Sequence, residues 1–434
     1  MKANFFQMIC RAFIVAAISL SCTTWSNAQT ATPLFSFSDS IPGGLPFSNL
    51  ISDSQGNLYG TAAQGGNLLC PYAINVGCGV VFELSRASDG WKETVLYTFV
   101  GTDGMAPDGG LIFDDVGNLY GTTSGGGLQH CSCGTVFKLT PSASGEWTLT
   151  SLYTFSGFDG GVPLSNLTLD STGNLYGTAY AGGLSVCYNG CGVVFELSPS
   201  SNGTWKETVL HKFNQTDGSY PESGLIIDKA GNLYGTATAG GNLNCSGFDF
   251  VGCGLVFELS PRSGGEWGET VLRTFTGING GWQPFDSLTF DAQGNLYGTT
   301  ALGGTDTHEP GCNVGCGLVF ELSRSSSGDW NEEVLYSFTG ADDGANPAAN
   351  VVFDSAGNLY GTTQYDGDGG QGTVFKLLPS SSGSWNFQVL TTFNGFLLGA
   401  LPESGLLVDA AGNLYGTTPY GGGQGWGTVF EITP

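Results

Sequence analysis

One hexapeptide, Gly-Asn-Leu-Tyr-Gly-Thr, occurs seven times in this 434-residue chain and constrains its fold more than any other feature. The copies begin at Gly56, Gly117, Gly173, Gly231, Gly294, Gly357 and Gly412. Successive copies therefore start 55–63 residues apart, about 59 on average. Self-similarity at a near-constant period is typical of repeat architectures. The chain is expected to fold as seven similar units.

Each unit carries the signals of four short strands separated by turns. The first strand ends at an aspartate three residues before the hexapeptide, and Gly-Asn supplies the positive φ of a tight hairpin. Leu-Tyr-Gly-Thr is the second strand, Gly-x-Val-Phe opens the third, and a tryptophan opens the fourth. We interpret the seven aspartates as acceptors for the amides of the turn. No segment beyond residue 28 has a sustained helical period, so almost no helix is expected.

The ends of the repeat array predict how the array is closed. A tryptophan-led fourth strand follows each of the first six units, and the seventh unit lacks one. Residues 34–37, Leu-Phe-Ser-Phe, match residues 96–99, Leu-Tyr-Thr-Phe, in type. An amino-terminal strand that completes the last unit removes the exposed edges of a radial array. The sequence thus predicts an all-β, seven-bladed β-propeller with four antiparallel strands per blade, formed by residues 29–434 as one domain.

Two segments of the second unit carry a resemblance to a known family. Residues 114–123, Asp-Asp-Val-Gly-Asn-Leu-Tyr-Gly-Thr-Thr, are followed by Gly-Thr-Val-Phe-Lys-Leu at 134–139. This pattern resembles the Gloeobacter–Verrucomicrobia tandem repeat of the "choice-of-anchor tandem repeat GloVer-containing" proteins, and the resemblance extends over essentially all of residues 29–434. It implies a bacterial, exported repeat protein, and it implies no particular biochemical role.

Residues 1–28 do not belong to the repeat and have the pattern of a secretory signal peptide. Lys2 and Arg11 give a basic start, residues 12–20 are apolar, and Ser26-Asn27-Ala28 is a small-x-small cleavage pattern. Lipoprotein processing at Cys22 is the alternative. No other apolar stretch is long enough to cross a bilayer as a helix. We therefore expect a secreted protein, extracellular or periplasmic, without a transmembrane segment in its mature chain.

The charge balance restricts the class of partner. The chain has 37 acidic and 12 basic residues, a formal net charge of −25. Such a field repels nucleic acid and anionic membrane surfaces, so neither is expected as a partner. Cations and neutral molecules suit it better, and we expect the protein to be a monomer.

Ten cysteines outside the signal segment fall into five close pairs, one in each of the first five units. In an exported protein, local pairs of this kind indicate disulfides, although cysteine spacing alone can also imitate a zinc site. The expected pairs are Cys70 with Cys78, Cys131 with Cys133, Cys187 with Cys191, Cys245 with Cys253, and Cys312 with Cys316. Whether Cys131 and Cys133 are bridged is left open.

Candidate ligand residues lie in the loops between fourth and first strands and between second and third strands, which share one face. These loops combine carboxylates, which bind hydroxyl groups, with aromatic rings, which stack on sugar faces. The alternative for each ring is that it covers loop backbone or a disulfide. The predicted ligand-binding residues are Asp103, Asp159, Asp217, Tyr220, Glu222, Trp282, Asp343, Tyr365, Tyr420 and Trp426.

We expect the protein to require no cofactor. A site for one cation is a weaker prediction. Asp366 and Asp368, in the cysteine-free sixth unit, form an Asp-Gly-Asp-Gly segment that could bind Ca²⁺ in place of a disulfide. The three histidines, His130, His211 and His308, fall in different units, and His211 stands where other fourth strands have tyrosine. We interpret His211 as structural.

The sequence favours a non-catalytic binding module for a polysaccharide or a protein, because no known catalytic motif is present. The alternative is a carbohydrate-active enzyme, a glycoside hydrolase or lyase, that uses two loop carboxylates. Its candidate acids are Asp217, Glu222, Asp343 and Glu403. A third possibility is a structural component of the cell envelope or matrix without a small ligand.

Overall fold

The computed structural model describes residues 30–38, 43–71, 76–127, 131–247, 250–305, 312–365 and 370–433. These residues contain no helix and form seven four-stranded antiparallel sheets. The predicted all-β, seven-bladed propeller is thereby confirmed. The signal-peptide segment 1–28, the calcium candidates Asp366 and Asp368, and the histidines His130 and His308 lie outside the described residues.

The seven blades share one strand plan, and the strands of each class follow in the order of blades 1 to 7. The short first strands, next to the axis, are Ile51–Ser52, Ile112–Phe113, Thr168–Leu169, Ile226–Ile227, Thr289–Phe290, Val352–Phe353 and Leu407–Val408. The second strands are Leu58–Ala62, Leu119–Thr123, Leu175–Ala179, Leu233–Ala237, Leu296–Thr300, Leu359–Thr363 and Leu414–Thr418. The third strands are Val80–Ala87, Thr135–Pro141, Val193–Pro199, Leu255–Pro261, Leu318–Arg324, Thr373–Pro379 and Thr428–Thr433. The fourth strands are Gly90–Thr98, Trp147–Thr154, Trp205–Lys212, Trp267–Thr274, Trp330–Ser337, Trp385–Thr392 and, for blade 7, Thr30–Ser36. A small hairpin, Ser246–Gly247 with Phe250–Val251, extends from blade 4.

The repeated aspartate fixes the turn between first and second strands in every blade. In blade 4, Asp228 Oδ1 accepts the backbone N–H groups of Ala230 at 2.8 Å and Asn232 at 2.9 Å. Its Oδ2 accepts the side-chain amide of Asn232 at 2.8 Å and the hydroxyl of Tyr234 at 3.1 Å. These four bonds explain why Asp, Asn and Tyr recur together in the repeat, and they match the role that the sequence assigns to the aspartate.

Neighbouring blades are joined by pairs of buried phenylalanines. The phenylalanine after each fourth strand lies against the third-strand phenylalanine of the next blade, with ring centroids 5.1–5.2 Å apart in an edge-to-face arrangement. The seven pairs are Phe37–Phe82, Phe99–Phe137, Phe155–Phe195, Phe213–Phe257, Phe275–Phe320, Phe338–Phe375 and Phe393–Phe430. One such pair therefore occupies every interface of the ring.

A second set of contacts runs around the ring closer to the axis. The threonine of each Leu-Tyr-Gly-Thr strand donates its hydroxyl to a backbone carbonyl of the next blade, at 2.8–3.3 Å. The last of these bonds runs from Thr417 to the Ser48 carbonyl, 369 residues away in the chain. The circle of hydrogen bonds is thus continuous from blade 7 to blade 1.

The amino-terminal strand closes the ring as the sequence predicts. Thr30–Ser36 pairs antiparallel with Thr428–Thr433, with Thr30 opposite Thr433 and Ser36 opposite Thr428. Blade 7 is therefore assembled from both ends of the chain, and its outer edge is the strand that enters first.

All five predicted disulfides are present. They are Cys70–Cys78, Cys131–Cys133, Cys187–Cys191, Cys245–Cys253 and Cys312–Cys316, and each lies in the loop between the second and third strands of its blade. Disulfides persist in oxidising compartments, so they indicate an extracellular or periplasmic location. Within the described part of the chain, no helix is both long and apolar enough to span a membrane.

Candidate ligand site in the central channel

The loops that lead from one blade to the next have a strained backbone at the same place. In every unit this loop carries a Gly-x-x-Pro segment, Gly43 to Pro46 in the first. The residue before its proline has a φ of +52° to +59°, a left-handed conformation that residues other than glycine seldom adopt. These residues are Leu45, Ala106, Val162, Tyr220, Gln283, Asn346 and Leu401. Strain of this kind persists only where neighbouring contacts enforce it.

A backbone hydrogen bond to the preceding blade is one of those contacts, and in five blades its acceptor is a disulfide-bonded cysteine. The N–H of the strained residue donates to the carbonyl of the second cysteine in the preceding blade, for example from Gln283 to Cys253 at 3.1 Å and from Asn346 to Cys316 at 2.8 Å. The same bond occurs after each of the five disulfides. The two loops that follow blades without a disulfide make the equivalent bond, for example from Leu401 to Gln371 at 2.8 Å, so this contact occurs in every blade.

Immediately after the proline, the chain turns into a cavity of about 620 Å³. All seven blades contribute to its lining, so the cavity lies on the axis of the ring. The lining residues are Phe47, Ser48, Asn49, Asp108, Leu164, Ser165, Asn166, Glu222, Gln283, Phe285, Asp286, Leu302, Asn346, Ala348, Gln364 and Glu403. We call this space the central pocket.

Four carboxyl groups line the central pocket, and burial changes how they titrate. Burial raises the pKa of Glu222 to about 8, although the side chain also bonds to Thr238. Burial raises the pKa of Asp108 to about 6, against a bond from the Ser124 hydroxyl at 2.5 Å. Glu222 therefore holds its proton at neutral pH and presents an O–H donor, whereas Asp108 is mostly ionised and accepts.

The other two carboxyl groups are Asp286 and Glu403. Burial raises the pKa of both, and the negative charge of Asp108 adds to the effect on Glu403. Asp286 also ties two blades together, because its Oδ2 accepts the backbone N–H of Asn350 at 2.9 Å. Glu403 is bonded to Gln364. Asp286 thus stabilises the contact between two blades, and Asp108, Glu222 and Glu403 are better placed to bind a ligand.

Two amide side chains in the pocket wall have polar atoms without a protein partner. Nε2 of Gln283 and Oδ1 of Asn346 are both buried, and neither has a hydrogen-bond partner among the described residues. One atom is a donor and the other is an acceptor, and they belong to the strained residues of neighbouring blades 5 and 6. Buried polar atoms are nearly always bonded to protein, water or ligand, so this pair marks the wall where a polar molecule would bind.

Two exposed tyrosines stand at the rim beside blades 6 and 7. Tyr365 and Tyr420 are 42% and 40% exposed. Tyr365 forms a β-bridge with Ala345, and Tyr420 forms one with Ala400. In blade 5 the equivalent bridge joins Trp282 to Leu302, which lines the pocket, so the two tyrosines occupy the position of Leu302 in their own blades. Tyr420 also lies edge-on to Phe47, 6.2 Å between ring centroids. Of the predicted ligand residues, Glu222 is in the pocket and these two tyrosines are at its edge.

The predicted loop aspartates are engaged in local turns and do not line the pocket. Asp103, Asp159 and Asp343 accept the hydroxyl of a fourth-strand tyrosine at 2.6–2.8 Å and a backbone N–H at 2.9 Å. Asp217 accepts both the backbone and the side-chain amide of Asn214, at 2.8 and 2.6 Å. Any ligand would have to compete with these bonds.

The remaining three predicted residues are largely buried. Tyr220 packs with the cysteines of Cys187–Cys191, and Trp282 packs with those of Cys245–Cys253. Trp282 is 5% exposed, donates to the Gly252 carbonyl at 3.2 Å, and lines a separate cavity of about 360 Å³. Trp426 packs against the core between blades 7 and 1. Covering disulfides and loop backbone was the alternative interpretation of such rings, and these contacts are of that kind.

The raised pKa of Glu222 makes the stability of the fold depend on pH. Between about pH 4.5, the ordinary pKa of glutamate, and about pH 8, folded Glu222 binds more protons than unfolded Glu222. Stability must therefore fall as the pH rises through that window, because the unfolded state binds fewer protons there. We expect Glu222→Gln to raise the thermal midpoint relative to the wild type at about pH 8.5 and to change it little at about pH 5. The same difference at both pH values would contradict the raised pKa.

Known proteins resemble this chain in its repeat and, more distantly, in its architecture. A family profile described as Gloeobacter/Verrucomicrobia repeat matches residues 69–309 and 246–434. A similar solved structure, a protein of unknown function from Dyadobacter fermentans DSM 18053, has 10% identity and a TM-score of 0.42, covering 93% of this chain and 98% of that one. Another, from Thermus thermophilus and described as a candidate oxidoreductase (glucose dehydrogenase), has 13% identity and a TM-score of 0.40, covering 93% and 100%. At these values neither likeness carries an argument about function. No protein with a curated description matches the sequence.

Proposed function

The chain belongs to the Gloeobacter/Verrucomicrobia repeat family, and we propose that it is an exported, non-catalytic binding protein that holds part of a neutral polysaccharide in the central pocket. The observation that carries the proposal is the pair of unpartnered amides, Gln283 and Asn346, on one wall of that pocket. A donor and an acceptor in neighbouring blades match a sugar hydroxyl, which both accepts and donates.

The size and chemistry of the pocket support a carbohydrate. A volume of about 620 Å³ falls within the range of small-molecule sites and suits two or three sugar rings. The lining combines amides, hydroxyls and carboxyls with the rings of Phe47 and Phe285. No Lys, Arg or His is among the lining residues, so phosphate and other anions have no counter-charge there. Neutral sugars fit this lining better than acidic ones.

The rim extends the proposed site beyond the pocket. Tyr365 and Tyr420 present exposed rings next to the mouth, where a polysaccharide chain that emerges from the pocket would pass. Stacking of a ring on a sugar face adds roughly 0.5–1.5 kcal/mol for each contact. The pocket would then select the sugar and the tyrosines would add affinity for a longer chain.

Binding to cello-, xylo-, chito- and malto-oligosaccharides, measured by calorimetry, tests the proposal. For the oligosaccharide that binds, Ala348→Trp should abolish binding because the indole fills the pocket from blade 6. Tyr420→Ala should weaken binding by up to about tenfold through the lost stacking contact. Both variants should keep the fold, since Ala348 faces the cavity and Tyr420 is exposed.

Phe158→Ala provides the matched control. Phe158 is an aromatic residue in a loop on the same face, it is 85% exposed, and it does not line the pocket. Its removal should leave the affinity unchanged. Wild-type affinity in Ala348→Trp would place the ligand elsewhere and overturn the proposed site. Binding of no saccharide at all would favour a protein partner.

One observation favours a second function, a glycoside hydrolase or lyase. The pKa of Glu222, about 8, is that of a general acid which keeps its proton at neutral pH, and Asp108, near 6, could act as its ionised partner. In this case the oligosaccharide would be cleaved, and Glu222→Gln would stop cleavage without weakening binding. We prefer the binding role because the chain carries no further catalytic motif.

A further inference from the structure

The interface between blades 3 and 4 brings together a histidine and two carboxylates that the central pocket does not use. His211 lies on the fourth strand of blade 3, Asp217 follows in the loop to blade 4, and Glu269 lies on the fourth strand of blade 4. The His211 Nε2 atom is 3.6 Å from Asp217 Oδ2 and 3.8 Å from Glu269 Oε2. One ligand atom from each residue lies within 4.8 Å of the others.

These distances are too long for hydrogen bonds but suit a shared ion. Two ligand atoms bound at about 2.0–2.2 Å to one tetrahedral zinc ion are roughly 3.4 Å apart. The His211 Nε2 atom is buried and has no hydrogen-bond partner among the described residues. The unpartnered Oε1 of Glu269 is shared by the equivalent Glu93, Glu207 and Glu332, so the histidine is what distinguishes this interface. The three side chains are only 12–19% exposed.

Two equivalent interfaces have another residue in place of the histidine. Between blades 2 and 3, Tyr153 replaces the histidine, and its hydroxyl reaches Asp159 at 2.6 Å while Glu207 occupies the place of Glu269. Between blades 4 and 5, Arg273 replaces it and forms an ion pair with Glu332. A tyrosine satisfies the loop aspartate, and an arginine neutralises the glutamate. The shorter imidazole of His211 lies 3.6 and 3.8 Å from the two carboxylates and hydrogen-bonds to neither.

We propose that His211, Asp217 and Glu269 form a binding site for a divalent transition-metal ion of the zinc type, which joins blade 3 to blade 4. An imidazole nitrogen with two carboxylate oxygens is a donor set that zinc accepts, whereas calcium and magnesium prefer oxygen alone. With a neutral imidazole the three groups carry two negative charges, which the ion neutralises. Asn214 holds Asp217 through bonds to both carboxylate oxygens and so orients one ligand.

The test starts from the full mature protein, stripped of metal by a chelator. Zinc affinity is measured by competition with a chromophoric chelator, and the thermal midpoint is measured with and without zinc. We expect one tight site and a higher midpoint with zinc. His211→Tyr and Glu269→Leu introduce the residues that other interfaces have at these places, Tyr153 and Leu149, so both variants should fold. Each should weaken zinc binding by more than the roughly 10–100-fold that follows loss of an outer-sphere partner alone.

A gain-of-site variant makes the assignment sharper. Tyr153→His would place an imidazole beside Asp159 and Glu207, whose Oε1 is also buried without a partner among the described residues. The Tyr153→His variant should bind one more zinc ion per chain than the wild type. The other two histidines remain in every variant, so binding by them would persist in His211→Tyr.

Two outcomes would overturn the proposal. Wild-type protein that binds no zinc would show that the three side chains do not form a metal site. Unchanged zinc affinity and unchanged midpoint shift in both His211→Tyr and Glu269→Leu would place the metal elsewhere. Neither outcome bears on the central pocket, so the proposed function is tested independently.

Discussion

Replacement of Phe37 by alanine should destabilise the protein as strongly as the same change in the middle of the chain. Phe37 is fully buried and lies 5.2 Å from Phe82, across the interface between blades 7 and 1. Removal of a buried phenylalanine side chain costs about 3–5 kcal/mol in the free energy of unfolding. The effect is expected only if the two ends of the chain meet, because a terminal residue of an open array would fray.

Phe213→Ala is the matched control for closure. Phe213 makes the equivalent contact with Phe257 at 5.2 Å, between blades 3 and 4. Urea unfolding of the two variants should give midpoints that agree within the error of the measurement. A much smaller effect of Phe37→Ala than of Phe213→Ala would contradict the closed ring.

The second large effect concerns the second glycine of the repeated hexapeptide Gly-Asn-Leu-Tyr-Gly-Thr, which is Gly235 in blade 4. A Cβ atom at Gly235 would lie 2.8 Å from both Phe257 Cζ and Leu225 Cδ2, which is closer than packed carbon atoms allow. Overpacking of this kind typically costs about 1–3 kcal/mol. We therefore expect Gly235→Ala to lower the urea midpoint, and we expect Phe257→Leu to offset part of the loss in the double variant, because the smaller side chain makes room.

Gly423→Ala is the control for the general effect of adding a methyl group. A Cβ atom at Gly423 would have no neighbour within 4 Å, and this residue does not require a positive φ. Its replacement should be close to neutral. A neutral result for Gly235→Ala as well would show that the phenylalanine above it can shift, and the packing argument for the repeated glycine would then be wrong.

Much of the fold could be predicted from the sequence because the same turn and strand residues recur in all seven units. The aspartate, Gly-Asn and tyrosine of one turn are a self-contained hydrogen-bonded unit, so their recurrence identifies the turn. The closing strand was predictable because residues 34–37 have the same pattern as the fourth strands. The pairing of Cys131 with Cys133 was less certain from spacing, and the structure has this bridge.

The central pocket was harder to predict, because its residues are brought together only by the circular arrangement of the blades. Asp108 and Asp286 were not among the predicted ligand residues, although Asp108 has the same position after the proline as Glu222 and Glu403. That position differs from unit to unit, and a comparison of the seven units there would have found it. The amides of Gln283 and Asn346 gave no such signal, since only the structure reveals that they lack partners among the described residues.

Asp103 shows that a loop carboxylate predicted to contact a ligand can also be held by its own turn. It was predicted as a ligand residue because loop carboxylates can bind hydroxyl groups. In the structure its carboxylate accepts the hydroxyl of Tyr97 at 2.6 Å, a residue six positions earlier in the chain. A loop carboxylate near a regularly placed tyrosine can therefore be a turn residue even where it recurs in only some of the blades.

The most direct test of the central claim is incubation of the mature, oxidised protein with a panel of soluble and insoluble polysaccharides. Protein depletion and released oligosaccharide are followed together by mass spectrometry, with Ala348→Trp in parallel. We predict depletion by at least one neutral polysaccharide, no released product, and no depletion of Ala348→Trp. Released oligosaccharide that disappears in Glu222→Gln, or equal depletion of wild type and Ala348→Trp, would contradict a binding role for the central pocket.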